Sequence, residues 1–170
     1  MYIEGRYWNH YIGDTDDSLT LAAYLADKGK KEISLAEIFS DIGLDKLKGD
    51  FHGSDEPLEV ALTKGDSSDQ EEVYAEFYYG ISVLADLAAL LLECRVNGCV
   101  DLRELAGDDL EEEVSHICIT ATPEEHSLIN KVLGDFVSDP LSYDLSDMCP
   151  EEDMMEMAEV CGRLREELYG

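Results

Sequence analysis

The stretch VLADLAALLL, residues 83–92, decides the fold class because a helix formed by these residues has apolar side chains on both sides. Apolar residues continue outward from it at spacings of three and four, which is the period of an α-helix. They are Val73, Phe77, Ile81, Leu84, Leu87 (or Ala88) and Leu91. The pattern predicts one helix over about residues 70–96, ended by Asn97 and Gly98. Because a helix that is apolar all round is buried, we expect the rest of the chain to pack around it.

Helix start and stop signals flank this central helix on both sides. Asp17 or Ser18 is a suitable N-cap for a helix that Gly29 ends. Ser34, with Glu37 three residues later, forms a capping box ahead of a second amphipathic helix. Further helices are predicted after Asp101, after Thr122 with Pro123 and Glu125, and over residues 150–170.

The sequence predicts little β-structure. HICITAT, residues 116–122, alternates apolar and polar residues and is the best strand candidate, whereas LEVALT, residues 58–63, fits a strand or a short helix. No shift in composition marks a domain boundary. We therefore predict a mainly α single-domain bundle over residues 1–170, with five or six helices around the central one and at most a small strand pair.

The chain is strongly acidic. Its 170 residues include 40 aspartates and glutamates against 12 lysines and arginines, for a formal net charge of -28. Hydrophobic residues make up 45%, which is enough for a packed core. Such a charge repels nucleic acids and anionic membranes and attracts basic proteins, so we predict a basic protein partner and no direct binding of nucleic acid or membrane. Solubility or adaptation to high salt is the alternative explanation of the charge.

The number of cysteines and the length of the apolar runs indicate the cellular compartment of the protein. Five cysteines, an odd number, argue against a disulfide framework. The first residues lack a basic region followed by an apolar run, so no signal peptide is predicted. The longest apolar run, LAALLL at residues 87–92, is too short to span a bilayer. We expect a reduced, soluble, cytoplasmic protein.

A first acidic cluster, DTDDS at residues 14–18, invites comparison with a calcium-binding loop. An EF-hand loop counted from Asp14 needs glycine at its sixth position and glutamate at its twelfth, but Leu19 and Leu25 stand there. Helix capping is the simpler explanation of the cluster. As the functional alternative, Asp14, Asp16 and Asp17 are predicted to contact a basic partner.

A second acidic cluster lies in GDDLEEEVSH, residues 107–116, which contains no lysine or arginine. No lysine or arginine stands three or four positions from its glutamates, so no permanent positive charge compensates them within a helix. A partner-facing patch and a solvated loop both show this property. The predicted partner-binding residues here are Asp108, Asp109, Glu111, Glu112 and Glu113.

The sequence carries no recognisable catalytic signature. The four histidines His10, His52, His116 and His126 are scattered, and no glycine-rich phosphate loop, HExxH or GxSxG motif is present. We therefore predict no enzymatic activity, no cofactor and no metal ligand. A small metal-dependent enzyme remains a minor alternative, which requires at least three acids to converge on one ion.

Two segments carry a family resemblance. YWNHYIGDTDDSLTLAAYL, residues 7–25, and DPLSYDLSDMCPEED, residues 139–153, resemble immunity proteins of bacterial polymorphic-toxin and contact-dependent growth-inhibition systems, as do the size and acidity of the chain. Such proteins are cytosolic and non-enzymatic, and each is encoded beside a toxin that it binds tightly. The resemblance implies a toxin partner, often a nuclease with a basic groove, and no particular fold or site residues.

Charge and resemblance together predict a non-catalytic immunity protein that neutralises a basic toxin domain, such as an RNase or a DNase, through an acidic surface. The alternative is an acidic regulatory or adaptor domain of an unrelated pathway that binds a basic protein or peptide. The two hypotheses differ in the partner, since only the first requires a toxin.

Overall fold

The computed structural model describes residues 1–53, 58–62, 73–106 and 115–170. The α-helices within these residues are α1 (Asp16–Lys28), α2 (Leu35–Ile42), α3 (Gly80–Asn97), α4 (Leu102–Ala106), α5 (Pro123–Ser138) and α6 (Glu151–Tyr169). The strands are β1 (Glu32–Ser34), β2 (Leu58–Leu62), β3 (Val73–Phe77), β4 (Val100–Asp101) and β5 (His116–Thr120). The predicted mainly α class is confirmed.

Helix α3 forms the centre of the core. Every residue from Gly80 to Glu93 is buried, which is the behaviour expected of a helix that is apolar all round. Helices α1, α5 and α6 and strand β5 pack against it. The inward residues of α6 that contribute to this core are Met154, Met157, Val160, Cys161, Leu164 and Leu168.

The central helix begins about ten residues later than the sequence pattern predicted. Val73 to Phe77 form strand β3, which pairs antiparallel with β2 and places Phe77 opposite Leu58. The spacing of four between Val73 and Phe77 fits one face of a helix, but it also fits one face of a strand, where every second residue shares a side. Tyr79 is extended, with φ -134° and ψ 115°, so the helix starts at Gly80.

The described strands form two small sheets, which is more β-structure than a single pair. Strand β5 lies between β1, which is parallel to it, and β4, which is antiparallel. In the register of these strands Ile33 is opposite Ile119, and Val100 is opposite Ile117. All four of these side chains are buried, so the sheet extends the core beside α3.

The predicted helix caps are largely present. Ser34 accepts the N–H of Glu37 at 3.2 Å, and Thr122 and Glu125 form a reciprocal capping box. The cap of α1 is Thr15, which exchanges hydrogen bonds with Ser18, and neither Asp17 nor Ser18 is the N-cap. Thr15 takes this role because its backbone is extended and its hydroxyl reaches the Ser18 N–H.

Residues 1–13 form an irregular segment that is packed into the core. Ile3, Trp8 and Ile12 are at most 4% exposed. The Tyr7 hydroxyl donates to the carboxylate of Glu167 on α6. The segment turns at Gly13, whose φ of +81° lies in the left-handed region, and the Trp8 ring lies directly over the Gly13 Cα.

A Gly13→Ala substitution should therefore destabilise the fold. The new methyl group would overlap the buried Trp8 ring and would also carry the strain of a positive φ, so we expect a loss on the order of 3 kcal/mol in the free energy of unfolding. Gly5→Ala is a matched control, because Gly5 has φ +74° and open space around its Cα. We expect about 1 kcal/mol there, from backbone strain alone. Equal losses in the two variants, measured by urea unfolding, would contradict this role of Trp8.

Candidate functional site

The start of α1 carries the first group of predicted partner-binding residues. Asp14 and Asp16 are exposed on either side of the Thr15 cap. Asp16 lies in the first helical turn, where a carboxylate also interacts favourably with the helix dipole. Both carboxylates are therefore placed where a partner can reach them.

Asp17 has a different position and a different role. It is only 2% exposed, and its carboxylate accepts the N–H groups of Tyr78 at 2.7 Å and Tyr79 at 3.0 Å. Burial raises the pKa of the Asp17 carboxyl, while the two N–H donors act in the opposite direction. The structure thus corrects the prediction for this residue: its carboxylate holds the turn between β3 and α3 and is not available to a partner.

A buried carboxylate on α3 fastens the same region to the core. Asp86 is 1% exposed, and its oxygens accept the Gly13 N–H at 2.9 Å and the Ser18 hydroxyl at 2.6 Å. Burial raises the pKa of Asp86 to about 7; neighbouring Asp17 and Asp14 add to the rise, whereas the two hydrogen bonds oppose it. Sequence reasoning missed this residue, although an acid inside an otherwise apolar helix was a visible signal.

The second predicted group, Asp108, Asp109, Glu111, Glu112 and Glu113, lies outside the described residues. The chain is described up to α4 and again from Ser115. These five residues therefore stay a prediction of the sequence.

The start of α6 adds acids that sequence reasoning did not assign to a site. Its first turn holds Glu151, Glu152 and Asp153. Met155 follows on the outer side and is 50% exposed. The Tyr11 hydroxyl donates to Glu156 Oε2 at 2.6 Å and lies 3.2 Å from Asp153 Oδ1, and the bond to Glu156 raises the pKa of Tyr11. Tyr11 stands three residues before Asp14, so the chain leading into α1 is fastened to the first turns of α6.

Positive charge lies away from these two helix starts in the sequence. Residues 7–27, 65–94 and 132–162 contain no lysine or arginine. Lysines at and beyond the far end of α1 are neutralised by α2, since Lys28 Nζ is 2.9 Å from Asp41 and Lys30 Nζ is 2.7 Å from Glu37. In the described part of the chain, none of the ion pairs involves Asp14, Asp16 or the acids of the first turn of α6.

A cleft of about 460 Å³ opens between α3, β5 and the end of α6. It contains Cys94, Cys118 and His126, and His126 Nδ1 is 2.9 Å from the Tyr169 hydroxyl. Burial raises the pKa of the Cys94 thiol to about 12, and its Sγ accepts the Ile119 N–H at 3.4 Å. A thiol that stays protonated at neutral pH is a poor nucleophile, so the cleft offers no activated cysteine at Cys94.

Among the described residues, no group of three or more His, Cys, Asp or Glu side chains is arranged to hold a metal ion. Over the same residues, no helix is both long enough and apolar enough to cross a bilayer. All five cysteines are free thiols.

The buried position of Asp86 predicts a pH-dependent stability. A carboxyl with a raised pKa in the folded chain keeps its proton where the unfolded chain has lost it, so stability falls as pH rises from about 4 to about 7. When the pH is raised from about 5 to about 8, the free energy of unfolding of the wild type should fall by on the order of 2 kcal/mol more than that of an Asp86→Asn variant. Urea unfolding at both pH values measures this difference. The exposed control Asp45→Asn should follow the wild type, and an Asp86→Asn variant that also does so would contradict the assignment.

Comparison with known proteins places the chain in a family. No curated protein and no solved structure matches it. The family model described as Immunity protein 68, Imm68, matches residues 2–168 and so covers both helix starts, the buried Asp86 and the cleft. Immunity proteins are the antidotes of toxin systems, and a match over nearly the whole chain shows that this protein belongs to the Imm68 family of immunity proteins.

Proposed function

We propose that the chain is a non-catalytic immunity protein that binds a cognate toxin domain in the cytoplasm and neutralises it. We further propose that this toxin is a basic nuclease and that acidic side chains recognise it. Membership of the Imm68 family supports the neutralising role, and the net charge of -28 supports a basic partner.

The exposed carboxylates at the start of α1 are the observation that carries this proposal. Asp14 and Asp16 are exposed, and within the described residues neither has an ion-pair partner. The opposite end of the same helix is neutralised by Asp41 and Glu37 of α2. The acidic side chains at the N-terminal end of α1 are therefore exposed to solvent, whereas lysines at and beyond its C-terminal end are paired with carboxylates of α2.

A nuclease offers the charges that such carboxylates would pair with. It binds phosphates through lysine and arginine side chains, and carboxylates accept hydrogen bonds from the same guanidinium groups, often in bidentate geometry. An acidic inhibitor thus occupies or shields the groups that the nucleic acid needs. Concentrated charge also raises association rates by about 10- to 1000-fold, which favours capture of a toxin before it acts.

Co-expression tests the neutralising role directly. The toxin domain encoded beside this chain is expressed alone and together with it, and we expect growth to be rescued only in the second case. Cells that die at the same rate with and without the chain would show that the immunity role is wrong.

The activity of the toxin is tested separately on purified components. We expect the toxin domain to degrade RNA or DNA and an equimolar amount of this chain to stop the degradation. A toxin that degrades neither nucleic acid, but that the chain still neutralises, would remove the nuclease part of the proposal and leave the immunity role intact.

Removing the acidic charges should slow association with the toxin domain. An Asp14→Asn, Asp16→Asn double variant should associate about three- to tenfold more slowly at about 50 mM salt, and the difference should shrink at about 500 mM salt. A Glu32→Gln, Glu59→Gln variant changes the net charge equally at exposed strand positions and should associate like the wild type. Changing Glu111, Glu112 and Glu113 together to lysine should slow association further. Unchanged rates in both acidic-cluster variants would show that these residues are ordinary solvated surface.

A further inference from the structure

We propose that the outward face of the first turns of α6 is a docking surface for an arginine- or lysine-bearing segment of the toxin that also presents an apolar side chain. This face, called the α6 face below, consists of Glu151, Glu152, Met155 and Glu159. The inference rests on the proposed immunity role and names a surface and a partner chemistry for it.

An exposed methionine lies at the centre of the α6 face. Met155 is 50% exposed, whereas Met154 and Met157 on the same helix are 1% and 5% exposed and belong to the core. An isolated exposed apolar side chain is ordinary, but this one has exposed glutamates three and four residues before it and four residues after it on the same helix. Methionine is flexible and polarisable, and it adapts to the shape of an incoming surface.

Helix geometry places the carboxylates directly around this side chain. Glu151 and Glu152 stand four and three residues before Met155, and Glu159 stands four residues after it. Residues at these spacings are neighbours on a helix surface, with Cβ atoms about 5–6 Å apart. A central apolar contact inside a polar rim is the arrangement found in protein–protein interfaces.

The stability of helix α6 alone does not explain why the α6 face carries these negative charges. Glu151 and Glu152 lie in the first turn and interact favourably with the helix dipole. That effect fades beyond the first turn, so it does not account for Glu159, which forms no ion pair with Arg163 four residues later in the described structure. Glu152 also stands four residues before Glu156, which lies outside the α6 face, and like charges at this spacing destabilise a helix by about 0.2–0.5 kcal/mol. By contrast, Lys131 and Asp135 on α5 form an attractive pair at this spacing, with 2.9 Å between Nζ and Oδ2.

Charge complementarity determines the kind of partner. None of the ion pairs in the described part of the chain involves Glu151, Glu152 or Glu159. Arginine fits such a face well, because its guanidinium group pairs with carboxylates in bidentate geometry and its stem packs on apolar surface. The α6 helix is packed against α3 and α5, so this face is presented on a rigid element.

Two variants and two matched controls test the docking surface. Met155→Ala removes the apolar contact without changing charge, and Leu141→Ala is its control because Leu141 is also exposed, at 43%. Glu151→Gln, Glu152→Gln, Glu159→Gln removes three charges from the α6 face. Glu32→Gln, Glu59→Gln, Glu76→Gln removes three charges from exposed strand positions.

The binding partner in the measurement is a catalytically inactive form of the toxin domain encoded beside this chain. We expect Met155→Ala to raise the dissociation rate by about tenfold. The triple glutamine variant of the α6 face should lower the association rate by about tenfold at about 50 mM salt. Both controls should stay within about twofold of the wild type. Circular dichroism melting confirms that each variant is folded.

The outcomes separate the two proposals. A wild-type chain that binds tightly, together with α6-face variants that behave like it, would overturn the docking surface while the immunity role stands. Equal losses in the α6-face triple and the strand triple would also overturn it, because only overall charge would then matter. A wild-type chain that neither binds nor protects would overturn the immunity role and the docking surface with it.

Discussion

Two carboxylates buried in an apolar helix hold the N-terminal part of the molecule in place. Asp86 and Glu93 lie seven residues apart on α3 and are 1% and 2% exposed. Asp86 accepts the Gly13 N–H and the Ser18 hydroxyl, and Glu93 accepts the Ile3 N–H at 3.1 Å and the Asn97 amide at 2.7 Å. Because a buried carboxylate without hydrogen-bond donors is very unfavourable, the chain ahead of α1 must return to α3 at these points.

This constraint fixes where α1 begins and which of its acids reach solvent. The Ser18 hydroxyl donates to Asp86. With Ser18 held there, the preceding residue, Asp17, faces the backbone N–H groups of Tyr78 and Tyr79. Asp14 and Asp16 are left on the outside. Neighbouring aspartates of one short cluster therefore divide into a structural carboxylate and two exposed ones, and the division comes from the core contacts of the helix.

The charges of the described residues are arranged differently at the two ends of α1. Its C-terminal lysine is paired with α2, whereas the acids at its start and at the start of α6 have no cation within ion-pair distance in the described ranges. Tyr11 connects these two acidic starts through its hydrogen bond to Glu156. In the proposed role, carboxylates presented from rigid helix ends would lose little conformational entropy on binding a basic partner.

The sequence by itself determined the mainly α class, the burial of residues 83–92 and the capped starts of α2 and α5, because helical period and capping are properties of short segments. It also showed which stretches lack cations. Only the tertiary structure decided that Val73–Phe77 is a strand, since a spacing of four fits both periods until β2 supplies hydrogen bonds. It likewise decided that Asp17 is buried and Asp16 is not, because the N–H donors that select Asp17 lie sixty-one and sixty-two residues away along the chain.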